Sequence, residues 1–340
     1  MFKNIALVVI SLVVSGVFVA LALRGVPVEE VLANIGQANP FWVIMAIALG
    51  VVAVWTRGIR WRGLLNYKVS QNRAFYIVGI TYLLNLLPLR AGEVARSLLA
   101  RREGVPLATA ATSIIVERLL DTLLVVVMLS VSVSQLPNIP DSVSTSALLF
   151  GVAGIAAAIT GIFMAKYRGF SMRILAVVEA RLTFLQRFNL SKLLEQVLDG
   201  LQPLTEPRRL AHAIGWTLIS WTFSVLMFYA LHLGLSLSGP DAMVNSALGT
   251  ALASFSIAIP VSVASIGPFQ GAVRLAGEMV GLASVQAISL GFILHGVAVA
   301  SYIITGVIGI IALGVGVSDF VDNLQKRVTP VQQSTTPVQS

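Results

Sequence analysis

Long apolar runs recur along this chain, and they constrain its fold more than any other feature. Ile5–Leu23, Ala147–Ala165, Leu210–Leu237 and Val285–Gly316 come close to or exceed the roughly 20 apolar residues that carry a helix across a bilayer. Phe41–Trp55 begins another such run and ends in Arg57, Arg60 and Arg62, while Leu107–Ser134 is long but holds charges. Composition points the same way. Of 340 residues, 56% are hydrophobic and 11% charged, against about 25% charged in soluble domains. An ordinary soluble enzyme, a disordered chain, a collagen and a disulfide scaffold are all excluded. The expected class is an all-α polytopic membrane protein. The absence of cysteine removes thiol nucleophiles and Cys metal sites. The first run has a rival reading as a signal peptide, since Ala20-Leu21-Ala22 mimics a cleavage site. Its length, beyond a typical h-region, favours a retained helix.

Two apolar stretches are broken. Ala74–Leu89 is short and contains Pro88, and Ala242–Ala283 is interrupted by Pro260, Gly267 and Pro268. The positive charges decide how these stretches run. Arg57, Arg60, Arg62, Lys68 and Arg73 cluster in one loop, eight Lys/Arg lie in Lys166–Arg209, and Lys326 and Arg327 follow the last run. The positive-inside rule puts these segments and both termini in the cytoplasm. A full crossing by Ala74–Leu89 would place Arg101 and Arg102 outside. A re-entrant path turning near Pro88–Gly92 avoids this, and the second broken stretch reads likewise, turning near Pro260–Gly271. The expected architecture is about six full crossings plus two re-entrant broken-helix pairs, arranged as two inverted repeats (1–134 and 147–318) within a transmembrane domain of 1–325. Broken helices in inverted repeats point to a transport site. Residues 166–209 form a cytoplasmic amphipathic loop. In it Ile174, Leu175, Val178, Leu182 and Leu185 form an apolar stripe, and Ser191 is the N-cap of a second helix. Residues 326–340, rich in Thr, Gln, Ser and Pro, read as a disordered cytoplasmic tail.

Ionisable residues inside membrane helices are costly and mark sites or buried pairs. One group is Arg90, Glu93 and Arg96 around the first break; another is Glu117, Arg118 and Asp121 in the charged run. Glu117 and Asp121 share a face at i, i+4, and Arg118 reaches Asp121 at i, i+3. One of the two acids is expected within ion-pair reach of Arg90, Arg96 or Arg118. Two readings stay open: the charges neutralise each other structurally, or some arginine charge faces a cavity and takes phosphate by its fork. Near the second break stand Gln270, and Arg274 with Glu278 at i, i+4. His295 reads as a packing residue, and His212 and His232 have no metal-ligand spacing. Arg57, Arg60 and Arg62, with Trp55 and Trp61, read as an interfacial anchor or as first contact with an anionic head group. Gly277-x-x-x-Gly281 is a weak packing signal.

The stretch Leu86-Leu87-Pro88-Leu89-Arg90-Ala91-Gly92-Glu93-Val94-Ala95-Arg96 resembles the lysylphosphatidylglycerol synthase transmembrane region, or flippase-like domain, family. So does Val116-Glu117-Arg118-Leu119-Leu120-Asp121. The likeness runs from residue 1 to about Asp322. Members of that family carry Glu where the second break here has Gln270. The resemblance implies a stand-alone membrane part without the aminoacyl transferase domain, hence lipid translocation rather than synthesis. Taken with the residue readings above, the candidate substrate-binding residues are Arg90, Glu93, Arg96, Glu117, Arg118, Asp121, Gln270 and Arg274, with Arg57, Arg60 and Arg62 as candidates for head-group contact at the interface.

Three functions fit: translocation of an anionic or polyprenyl phospholipid in the cell membrane, secondary transport of a small anionic solute, or a non-transporting subunit supporting an envelope enzyme. No enzyme motif is present, and no metal, cofactor or nucleic acid is called for. The expected partner is membrane phospholipid, with a homodimer or an envelope enzyme as further candidates.

Overall fold

A computed structural model describes residues 2–87, 91–136, 140–181, 190–258 and 263–315. Pro88, Arg90, Pro260, Leu182, Leu185, Lys326, Arg327 and the tail 326–340 lie outside the described residues, as does the side chain of Val178. The described chain is helical: α1 (Phe2–Ala22), α2 (Val28–Gly36), α3 (Pro40–Leu64), α4 (Gln71–Leu84), α5 (Ala91–Arg102), α6 (Leu107–Ser134), α7 (Asp141–Lys166), α8 (Arg168–Arg181), α9 (Leu190–Leu201), a 3-10 turn Gln202–Thr205, α10 (Pro207–Gly234), α11 (Ala242–Ala258), a 3-10 turn Val263–Ser265, α12 (Pro268–Met279) and α13 (Ser284–Leu313). Four of these, α3, α7, α10 and α13, are long and apolar enough to cross a membrane. The protein is an all-α membrane protein.

Local sequence explains the boundaries. Asn39 caps α3, its side chain accepting from the Phe41 N–H at 3.0 Å, and Pro40 opens the helix. Ser70 caps α4 through the Arg73 N–H. Ser191 does not play this part for α9. It lies within the helix and its hydroxyl donates to the Glu179 carboxylate at 3.0 Å, because an acid on the neighbouring helix competes successfully for it. On α8, Phe170, Ile174 and Val177 are exposed, while Leu182 and Leu185 of the expected stripe lie outside the described residues.

The broken stretches become two helical pairs, α4 with α5 and α11 with α12, whose members pack on each other. With 14 and 12 residues, α4 and α5 are roughly 21 and 18 Å long, too short to span about 30 Å of hydrocarbon. Gly92 sets the closeness of the first pair: a Cβ there would lie 2.1 Å from the Thr81 carbonyl oxygen.

The same element order runs twice: long helix, connection, long helix, broken pair, long helix. Contacts cross between the halves, since α3 packs along α10, α4 against α13 and α11 against α6. The first long helix of each half, α1 or α7, is peripheral and exposes residues such as Val13, Val17, Phe150 and Ile159. The register agrees residue by residue over part of the chain. α12 begins 177 residues after α5 (268 against 91), and α13 begins 177 after α6 (284 against 107). The turns between them carry Gly104 at φ 80° and Gly281 at φ 86°, again 177 apart (281 against 104). Gly281 is therefore a turn residue rather than half of a packing motif. Gly277 alone makes the close approach, to Ala287.

Candidate functional site

α3 extends through Leu64, so Arg57, Arg60 and Arg62 are helical residues rather than loop residues. The apolar run stops at Trp55 in sequence because charges follow, yet the helix continues because two of those charges turn into the protein. Arg60 is fully buried. Its Nη1 and Nη2 grip the Asp121 carboxylate at 2.6 and 3.1 Å, and Nη2 lies 3.1 Å from Glu117 Oε1. Arg60 therefore does not contact head groups at an interface; it lies at the centre of a desolvated ion network. Arg62 donates Nε to the Val69 carbonyl at 3.1 Å and lies over Tyr67, holding the turn after α3.

α6 supplies the acids. Glu117 and Asp121, one turn apart, do share a face. Glu117 accepts a two-pronged bond from Arg96 of α5, at 3.1 and 2.8 Å. Arg96 and Glu117 are each 1% exposed, and the Arg96 guanidinium lies 4.3 Å from the Trp61 ring centroid. Trp61 donates Nε1 to Ser113, and Trp221 of α10 donates Nε1 to Asp121 at 2.8 Å. Thr217, also on α10, accepts from Arg60 at 3.0 Å. Arg118 takes the other side of α6. It donates Nε and Nη2 to Glu93 at 3.0 and 2.6 Å instead of forming an ion pair with Asp121. Asp121 is already held by the Arg60 fork, and the buried fork is the stronger partner. The Glu93–Arg118 pair is the accessible edge of the network, with side chains 29% and 40% exposed.

Chain positions pair up across the halves here too. Gln270 and His295 are 25 residues apart, as Glu93 and Arg118 are, and are likewise bonded, Gln270 Nε2 to His295 Nδ1 at 2.8 Å. Gln270 Oε1 also accepts the Gly267 N–H at 2.7 Å, and Phe269 stacks on the His295 ring. The position matching Arg96 is Val273, and that matching Glu117 is Leu294; both are buried apolar residues. Arg274 is engaged elsewhere. It bonds Glu278 at 2.7 Å and donates to the carbonyls of Ala22 and Arg24, closing the end of α1. The structure thus brings Glu93, Arg96, Glu117, Arg118 and Asp121 together, sets Gln270 and Arg274 apart from them, and does not describe Arg90.

Sequence reasoning missed Trp221 and Thr217 as partners of the ion network, and Ser224, Tyr82 and Tyr302 as residues grouped around Arg57. Arg57 donates Nη2 to Ser224 Oγ at 2.9 Å, and its guanidinium carbon lies 5.9 and 5.8 Å from the Tyr82 and Trp221 ring centroids. Tyr82 stacks on Tyr302 at 4.9 Å. The one available signal was the recurrence of Tyr and Trp inside apolar runs, away from their ends.

The sequence pattern of the lysylphosphatidylglycerol synthase transmembrane region matches residues 8–306. A glycosyltransferase, AglD of Haloferax volcanii, is 28% identical over 121 residues, which is 34% of this chain and 19% of that protein. The chain spans about a fifth of the length of that curated relative. No solved structure matches.

Proposed function

We propose that this chain, which belongs to the family of the lysylphosphatidylglycerol synthase transmembrane region, moves an anionic or polyprenyl phospholipid between membrane leaflets without enzymatic chemistry. The observation that carries the reading is the ion network of Arg60, Arg96, Arg118, Glu93, Glu117 and Asp121, set between a broken helix pair and three long helices. Buried charge in a membrane protein is costly and is retained where polar cargo passes. The two broken pairs are read as re-entrant from opposite sides, giving a multi-pass protein of the cell membrane with both termini cytoplasmic.

The test is a vesicle assay with the purified protein and dye-labelled phosphatidylglycerol. Leaflet exchange should rise well above that of protein-free vesicles and fall in Glu93→Gln. Exchange equal to protein-free vesicles would sink the reading. The orientation is tested by single cysteines, since the chain has none. In cells, Asp141→Cys should react with an impermeant thiol reagent and Arg173→Cys should not; the reverse pattern overturns the topology.

A second reading, a membrane subunit supporting an envelope enzyme, draws on the stretch shared with a glycosyltransferase. It predicts no exchange in the vesicle assay and loss of a glycosylated envelope product when the chain is removed.

A further inference from the structure

Among the described residues, the ion-paired interior charges of the first half cancel. Arg96 and Arg60 meet Glu117 and Asp121, and Arg118 meets Glu93. Arg57 is left over. Among the described residues no carboxylate pairs with it, and its hydrogen bond is to a neutral hydroxyl. A guanidinium carries five N–H donors, so most of those on Arg57 remain to be used. The accessibility of these donors differs from that of its neighbours. Arg60 and Arg96 each bury an unpaired Nε, whereas no nitrogen of half-buried Arg57 is sealed away unpaired.

Its surroundings suit an anion. Arg57 stands where α3, α4, α10 and α13 meet, since Tyr82, Trp221, Ser224 and Tyr302 come from the last three. The rings hold the guanidinium plane by cation–π contact. The hydroxyls of Tyr82 and Tyr302 make no hydrogen bond among the described residues and can donate to a ligand oxygen. An uncompensated cation at this depth is costly until a counter-ion arrives.

We propose that Arg57, with Ser224, Tyr82 and Tyr302 around it, is the anion-binding group of the interior and takes a singly charged phosphodiester. Among the described residues one surplus positive charge remains, and it matches one negative charge. A phosphomonoester or pyrophosphate brings more charge and would require breaking the Glu93–Arg118 pair. The arginines of the network are engaged by their own carboxylates, so the ligand's charge is taken by Arg57. This assignment rests on the translocator reading for the source of the ligand, a lipid head group, whereas the chemistry would be shared by a soluble phosphodiester.

The experiment follows thermal unfolding of the detergent-purified full chain with four probes: short-chain phosphatidylglycerol, short-chain phosphatidic acid, glycerophosphoglycerol and inorganic phosphate. Phosphatidylglycerol should raise the melting temperature of the wild type. Arg57→Gln should weaken that binding about 10- to 100-fold, as loss of a charge-assisted contact does, and Arg57→Lys should recover part of it. Neither substitution strands a carboxylate, so the ligand-free melting temperature should stay within a few degrees of wild type. A response to glycerophosphoglycerol equal to that of the lipid upholds the diester subsite and assigns it a soluble source. Tighter binding of phosphatidic acid or inorganic phosphate, wild-type binding by Arg57→Gln, or no wild-type response to any probe overturns the assignment. The two proposals fail separately. If Arg57→Gln exchanges lipid at the wild-type rate, the subsite falls and the translocator stands. If the lipid binds through Arg57 but the wild type moves none, the translocator falls and the subsite stands.

Discussion

The units α5–α6 and α12–α13 have the same backbone plan and opposite chemistry. Both join a 12-residue helix to a long one through a turn with a left-handed glycine, and both tie the third residue of the short helix to the twelfth of the long one. In the first unit those residues are Glu93 and Arg118; in the second, Gln270 and His295. One turn further along, the first unit buries the Arg96–Glu117 pair where the second packs Val273 and Leu294. The scaffold therefore does not need the charges. Valine and leucine fill the equivalent space, and hydrophobic replacement of a buried pair is often neutral or stabilising. That a costly pair persists in only one half argues that its charge is there for function, with the neutral half serving as the packed counterpart.

The largest expected effect comes from breaking that asymmetry at one residue. Arg96→Ala leaves Glu117 buried with only Arg60 to neutralise both Glu117 and Asp121. It should destabilise the protein by about 3–5 kcal/mol, measured as unfolding of the purified protein in one detergent. The double variant Arg96→Val with Glu117→Leu imports the chemistry of the second unit. Arg60 keeps its two-pronged bond to Asp121, so the double should lose clearly less stability than Arg96→Ala alone, a non-additive outcome. Equal or greater loss in the double would show that the two units are not interchangeable scaffolds.

A smaller effect sharpens the comparison where the units agree. A Cβ at Gly104 or Gly281 would meet nothing within 4 Å, so the cost of Ala at either is backbone strain at positive φ. Gly104→Ala and Gly281→Ala should each cost about 1–2 kcal/mol, and by similar amounts in the same unfolding measurement. A cost confined to one of them would mean that the shared turn does different work in the two halves.

Much of this was legible in the sequence. A chain this apolar has no soluble solution, so the membrane class followed from the length and spacing of the runs. The broken stretches followed from Pro and Gly, and the face shared by Glu117 and Asp121 from the 3.6-residue period of α6. These are local properties, set by what a backbone can do over one or two turns. The likeness of the two halves was legible only as an order of runs. With apolar residues interchangeable and most positions changed, the 177-residue register emerges only when Gly104 and Gly281, or Glu93–Arg118 and Gln270–His295, are seen to occupy matching places.

Tertiary structure decided the partners. Local spacing offered Arg118 to Asp121, but Arg60, 61 residues upstream, holds that carboxylate, and Trp221, 100 residues downstream, bonds it as well. Arg57, Arg60 and Arg62 read alike as a basic cluster, yet their sites differ completely: Arg60 is paired and sealed, Arg57 is half-buried among aromatic rings, and Arg62 ties a turn. Helix period fixes which residues share a face. Which face meets which neighbour depends on how α3, α6 and α10 rotate and approach when they pack, and no window of sequence contains that information.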